Sequence, residues 1–165
     1  AYERELLAPV ADVADLVLDT SRMSVHNLRE VVRSRLDGRP DAQLSLQFQS
    51  FGYKHGLPGD ADFVFDARSL PNPYWVSPLR NLTGKDPAVV EFLEQSDTVQ
   101  RFISDIRVLL ERWIPEIAAS NRSYLTVAIG CTGGRHRSVY IAGRLAEHFR
   151  KIYPQVLLRH AELAD

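Results

Sequence analysis

The sequence predicts an α/β domain, a mostly parallel or mixed sheet flanked by helices. Short apolar runs of strand length at 16–18, 44–48, 63–65, 125–129 and 156–158 alternate with amphipathic helical patterns. Such alternation is the signature of a sheet covered by helices. A second observation agrees: residues 125–138 read as a strand, a glycine-rich turn and a helix start. At 165 residues the chain is expected to form a single domain, 1–165, with enough apolar content for a full core.

Each element has its own local signal. Ser24 is placed to cap a helix carrying Val25, Leu28, Val32 and Leu36, stopped by Gly38 and Pro40. Leu44, Leu46 and Phe48 alternate with polar residues, a strand that runs into Ser50-Phe51-Gly52. Residues 52–60 then form a loop, and 63–65 a second strand ending at Asp66-Ala67-Arg68. Prolines at 71, 73, 78 and 87 make 69–87 a long ordered loop or lid, not a helix. Val89, Phe92 and Leu93 suggest a short helix. Val99, Phe102, Ile103, Ile106, Leu109, Leu110 and Trp113 mark the strongest helical stripe in the chain. Residues 125–129 are the central strand, and Ala142, Leu145 and Phe149 line the helix after the glycine turn.

That glycine turn carries the chemistry. Gly133 and Gly134 let the backbone curl so that several N–H groups point at one oxyanion. The helix behind it adds unsatisfied N–H groups and the positive end of its dipole. Arg137 adds a planar fork able to grip two phosphate oxygens. A phosphate-bearing ligand is therefore expected. Loops after three strands would bring Lys54, His55, Arg68, Arg135, His136 and Arg137 together, because ligands in such sheets sit beyond the carboxyl ends of strands. His55 also reads as a hydrogen-bonded loop histidine, and Arg135 and His136 as solvated loop residues. Five residues separate Cys131 from Arg137, and Ser138 comes next, the C-x5-R-[ST] spacing of tyrosine phosphatases. In those enzymes a thiolate attacks phosphorus. Cys131 equally reads as a small buried hydrophobe at a strand end. Asp60, Asp62 and Asp66 read as turn formers, a hard-cation site or, for Asp66, a general acid.

Composition bounds the partners. The net charge is −1, so any polyanion recognition must come from a local patch. One cysteine excludes an intrachain disulfide framework and a cysteine-based zinc site, and suits a reducing cytosol. His55, His136, His148 and His160 are scattered and show no metal-ligand spacing, and neither metal nor cofactor is expected. No apolar run approaches membrane-spanning length. The N-terminus has no charged stretch followed by an apolar one, so no secretory leader is expected, and Ala1 is expected to stand inside a longer protein.

Three stretches in order, 50–56 (SFGYKHG), 65–73 (FDARSLPNP) and 130–138 (GCTGGRHRS), resemble the C-terminal domain of the RNase adapter protein family, RapZ. The resemblance runs along almost the whole chain. It implies a phosphofructokinase-like sugar-phosphate-binding fold and a non-enzymatic C-terminal sensor domain, cytoplasmic and homo-oligomeric. Family members carry an N-terminal P-loop nucleotide-binding domain. This chain has no G-x-x-x-x-G-K-[ST], so that domain is expected to be absent and ATP hydrolysis is not implied. In enterobacterial members this half binds glucosamine-6-phosphate and small regulatory RNAs, and controls cell-envelope precursor synthesis through an RNase. UDP-N-acetylglucosamine is the alternative ligand. The family's sugar-phosphate residues fall on His55, Thr132, Gly133 and Arg137. Lys54, Arg68, Gly134 and Ser138 complete the expected ligand-binding set, with no catalytic residue. RNA-binding members end in a Lys/Arg-rich tail. Here residues 161–165 hold two acids and no base, so weak RNA binding is expected. The competing expectation is a Cys-dependent phosphatase using Cys131, Arg137 and Asp66.

Overall fold

The computed structural model describes residues 44–120 and 122–163, with a few isolated residues before them. Of the expected strand at 16–18 only Leu18 is described, and it is in no strand; most of the helix after Ser24 lies outside the described residues. Leu28, Val31 and Val32 are helical, and the Leu28 N–H donates to the Ser24 carbonyl at 3.0 Å. The chain divides into two compact units, 1–39 and 40–165. The second unit holds the sheet and the site.

Among the described residues, four strands form one sheet: β1 (Ser45–Gly52), β2 (Phe63–Asp66), β3 (Tyr124–Cys131) and β4 (Val156–His160). Their spatial order is β2-β3-β1-β4, and every pairing is parallel. The four chain directions therefore agree, and all carboxyl ends lie at one edge. Register fixes what meets there: Gly52 pairs with Cys131, Asp66 with Gly130, and Ser50 with His160.

Burial follows position in the sheet. β3 is buried at all eight residues, as expected for an interior strand covered on both faces. β2 and β4 alternate partly buried and exposed residues, which suits edge strands. Three helices accompany the sheet among the described residues: α1 (Pro87–Glu94), α2 (Asp97–Ala119) and α3 (Arg137–Phe149). Phe48 of β1 stacks on Phe149 of α3 with ring centroids 5.5 Å apart. Leu46, Leu125, Ile129, Ile141 and Leu145 are fully buried around them. Burying each such side chain stabilises the fold by about 1.5–3 kcal/mol.

The sequence pattern for α2 stops at Trp113, yet the helix continues to Ala119 through Pro115. Ile114 is fully buried and Ile117 packs against the core, so tertiary contact carries the helix on. Leu109 and Trp113, read as part of the apolar stripe, are 37% and 49% exposed. The buried stripe is Val99, Ile106, Leu110 and Ile114. The proline-rich segment is irregular as expected, with two 3-10 turns at Pro73–Trp75 and Ser77–Leu79. No described helix is long and apolar enough to cross a membrane.

Candidate functional site

The site lies at the carboxyl edge of the sheet, where the chain leaves β1, β2 and β3. Beyond Cys131 the backbone turns through residues 132–136 and enters α3 at Arg137. Gly134 has φ +70°, a left-handed conformation that side chains rarely adopt. A Cβ there would overlap the Glu162 side chain and lie 2.7 Å from the Gly52 nitrogen. The turn therefore needs glycine twice over, for its backbone angle and for its contact with β1. A Cβ on Gly130, the residue before the cysteine, would overlap the Tyr53 and Phe51 rings. Aromatic packing thus requires glycine at that position.

Arg137 is 4% exposed. Its Nη1 donates to the carbonyl oxygens of Arg68 (2.8 Å) and Leu70 (3.0 Å). Its Nε is buried without a hydrogen-bond partner. Burial pulls its pKa down, and the neighbouring Cys131 and Asp66 work in the opposite direction. A guanidinium held this way remains a fixed cation.

Cys131 sits beneath the turn, its Sγ 3.2 Å from Ser138 Oγ. Burial pushes the thiol up. Hydrogen bonding from the Ser138 hydroxyl, the Ser138 and Gly134 N–H groups and the Arg137 charge outweighs it, so the pKa lies below the ordinary thiol value. His136 is pulled down by burial against opposing backbone carbonyls, with Arg135 adding to the depression. It is therefore neutral at physiological pH, and its Nε2 is buried without a partner.

A cavity of about 570 Å³ opens over this turn. Of the expected ligand residues, Lys54, Thr132, Gly133 and Arg137 line it, and Arg135, His136 and Cys131 join them. The other four stand outside the lining. Gly134 shapes the turn, and Ser138 is buried against Cys131. His55 Nε2 lies 3.2 Å from a Glu162 carboxylate oxygen. Arg68 folds back on Asp66, with Nη2 2.7 Å from Oδ2, and its guanidinium covers the Tyr53 ring at 4.0 Å. Its contribution to the site is the backbone carbonyl that holds Arg137.

The far wall comes from the proline-rich segment: Asn72, Tyr74, Trp75, Arg80 and Asn81. Arg80 lies over the Tyr74 ring at 5.0 Å, and Trp75 is 75% exposed. Reading the sequence for charge and glycine passes over these residues. The available signal was two adjacent aromatics directly after the Pro71-Asn72-Pro73 turn. The segment is pinned to the glycine turn by Gly84 N–H, which donates to the Arg135 carbonyl at 2.8 Å. The lining holds three arginines, one lysine and no carboxylate, in a chain of net charge −1. Its chemistry is that of an anion receptor with an aromatic rim.

A family model described as the RapZ C-terminal domain matches residues 44–164. The chain belongs to the RapZ family. A second model, the RapZ-like N-terminal domain, matches residues 1–40. The chain is 53% identical over 161 residues to the RNase adapter protein RapZ of Yersinia pseudotuberculosis, covering 98% of the chain and 57% of that protein. A nucleotide-binding protein of Cellvibrio japonicus is 52% identical over 163 residues, 99% of the chain and 55% of the relative. One from Hahella chejuensis is 51% identical over 165 residues, 100% and 58%. The chain spans a little over half the length of these relatives. The three motifs that suggested RapZ all lie within the stretch matched by the C-terminal model, and all three contribute to the carboxyl edge of the sheet.

Proposed function

We propose that the 40–165 unit is a metabolite-sensing regulatory domain that binds a phosphorylated amino sugar of the glucosamine-6-phosphate type. The observation that carries this reading is one cavity shared by Lys54, Arg137, the glycine turn and the aromatics Tyr74 and Trp75. The turn and the two cations suit a phosphate. Asn72 and Asn81 offer hydrogen bonds to hydroxyl and amine groups. The apolar face of a sugar ring fits an exposed indole. UDP-N-acetylglucosamine is the alternative ligand. Calorimetric titration with glucosamine-6-phosphate, glucosamine, UDP-N-acetylglucosamine and inorganic phosphate tests the reading. Equal affinity for glucosamine and its phosphate would refute it.

The adapter name of the Yersinia relative supports a regulatory role with RNA and an RNase as partners. We further propose that the RNA is a small regulatory RNA and that the protein acts in the cytoplasm as a homo-oligomer. RNA binding by this chain alone is weak and steeply salt-dependent, because phosphate contacts dominate such affinity and the chain has no basic excess.

The Cys131–Ser138 contact favours a second reading, a Cys-dependent phosphatase. Its expected general acid, Asp66, does not suit the role. Arg68, by hydrogen bonding, holds Asp66 below the usual carboxylate range, which suits a permanent anion and not a proton donor. Release of phosphate from an aryl phosphate, absent in Cys131→Ser, would reverse this preference.

A further inference from the structure

The chain has one cysteine, and it forms part of the cavity floor. A binding-only site gains nothing obvious from a thiol in that place. Cys131 is 3% exposed and is one of the residues lining the cavity. Ser138 Oγ is 3.2 Å away. A second observation points to an anion at the same spot. Arg137 lines the cavity and is 4% exposed, and its Nε has no hydrogen-bond partner. Buried donors of this kind are rare unless a ligand completes them.

We propose that Cys131 is an oxidation site for peroxides, and that the oxidised sulfur and a bound phosphate exclude one another from the turn. The proposal rests on the anion-binding reading of that turn. In the step itself, the thiolate electron pair attacks one oxygen of hydrogen peroxide. The O–O bond breaks, an S–O bond forms, and hydroxide leaves and takes up a proton as water. Sulfur is oxidised to sulfenic acid and the peroxide is reduced. The new oxygen adds bulk and polarity at Sγ, in a cavity whose lining Cys131 shares with Thr132, Gly133 and Arg137. With one cysteine in the chain, no intrachain disulfide can form, so reversal depends on an external thiol. The lowered thiol pKa supports the step by keeping more of the nucleophile ionised. The gain is bounded, since nucleophilicity falls as pKa falls.

The test uses the 165-residue chain, with the single cysteine as its own reporter. Peroxide is added at neutral pH, sulfenic acid is trapped with dimedone, and the labelled fraction is read by intact mass. Inorganic phosphate is the competing probe. Calorimetry with inorganic phosphate is run on reduced and on oxidised protein. Labelling is expected several-fold faster than on a free-cysteine peptide, slowed by phosphate and absent in Cys131→Ser. Ser138→Ala is expected to slow it and to move the pH midpoint of iodoacetamide alkylation upward. Oxidised protein is expected to lose phosphate binding. A reduced protein that binds phosphate but whose thiol reacts no faster than the peptide overturns the proposal and leaves the anion site standing. Labelling without loss of phosphate binding overturns the exclusion. A reduced protein that binds no phosphate overturns the anion reading itself, and the exclusion with it.

Discussion

Arg137 and Arg68 are joined through charge and backbone: the Arg137 guanidinium donates at 2.8 Å to the Arg68 carbonyl oxygen. The Arg68 guanidinium turns the other way, onto Asp66. One basic residue therefore lines the cavity, and the other supplies the carbonyl that anchors it. Arg137 thus has two duties, closing the loop after β2 onto the turn after β3 and presenting a cation to the cavity.

The first prediction separates those duties. Arg137→Ala is expected to weaken inorganic phosphate binding by about 2–3 kcal/mol, the scale of charge-assisted hydrogen bonds. It also strands the part-buried Arg68 carbonyl and the buried Leu70 carbonyl, so the denaturation midpoint falls as well. Arg137→Lys restores charge without the fork and recovers only part of either loss. Calorimetry and urea melts on the same samples check this. A mutant that binds phosphate normally would remove Arg137 from the site.

A second prediction concerns two adjacent glycines with different surroundings. Gly134→Ala is expected to cost about 1–3 kcal/mol from the left-handed backbone alone, with overlap against Glu162 adding to it. Gly133→Ala meets only the Lys54 side chain, at 3.9 Å, and should stay within about 0.5 kcal/mol of the parent. Urea denaturation of both variants decides. Equal losses would show that the turn is not held as described.

The contrast between those glycines marks where sequence reading stops. Both were legible as turn formers from the strand–turn–helix pattern. Which one carries the positive φ depends on Gly52 and Glu162, brought in from β1 and from beyond β4. Arg137 was legible because its position at a helix start is local. Arg68 was legible only as a charge near the site, since its pairing with Asp66 and Tyr53 is set by how the loop closes. The aromatic wall was hidden for the same reason. Tyr74 and Trp75 reach the cavity through 3-10 turns pinned by Gly84 to Arg135, a contact no periodicity reports. The strands were clear because apolar runs between breakers are a local signal, whereas their order β2-β3-β1-β4 is not.

The wall gives a third prediction. Trp75→Ala is expected to weaken glucosamine-6-phosphate binding up to about tenfold, the loss of one aromatic contact. Inorganic phosphate, too small to reach the indole from the turn, should bind as before. The comparison cancels any general damage to the turn. Parallel losses for both ligands would mean that Trp75 supports the site without touching the sugar.

The last prediction is the pH dependence of folding. His136 is 8% exposed and held below its ordinary pKa chiefly by burial. His160, hydrogen-bonded to Ser50 Oγ at 2.8 Å, is shifted the same way, also by burial. Above the ordinary histidine value of about 6.5, both folded and unfolded states are neutral, and these groups impose no pH slope. As the pH falls below it, the unfolded chain takes up protons that the folded chain still refuses. Stability therefore falls between the ordinary value and the lower folded one, by at most about 1.4 kcal/mol per pH unit for His136. Urea melts at successive pH values from neutral to mildly acidic measure that slope. His136→Gln keeps a buried polar side chain of similar size without a titrating group, and should flatten the slope. An identical slope in the variant would assign the acid sensitivity to other groups and leave His136 without a proton-linked role.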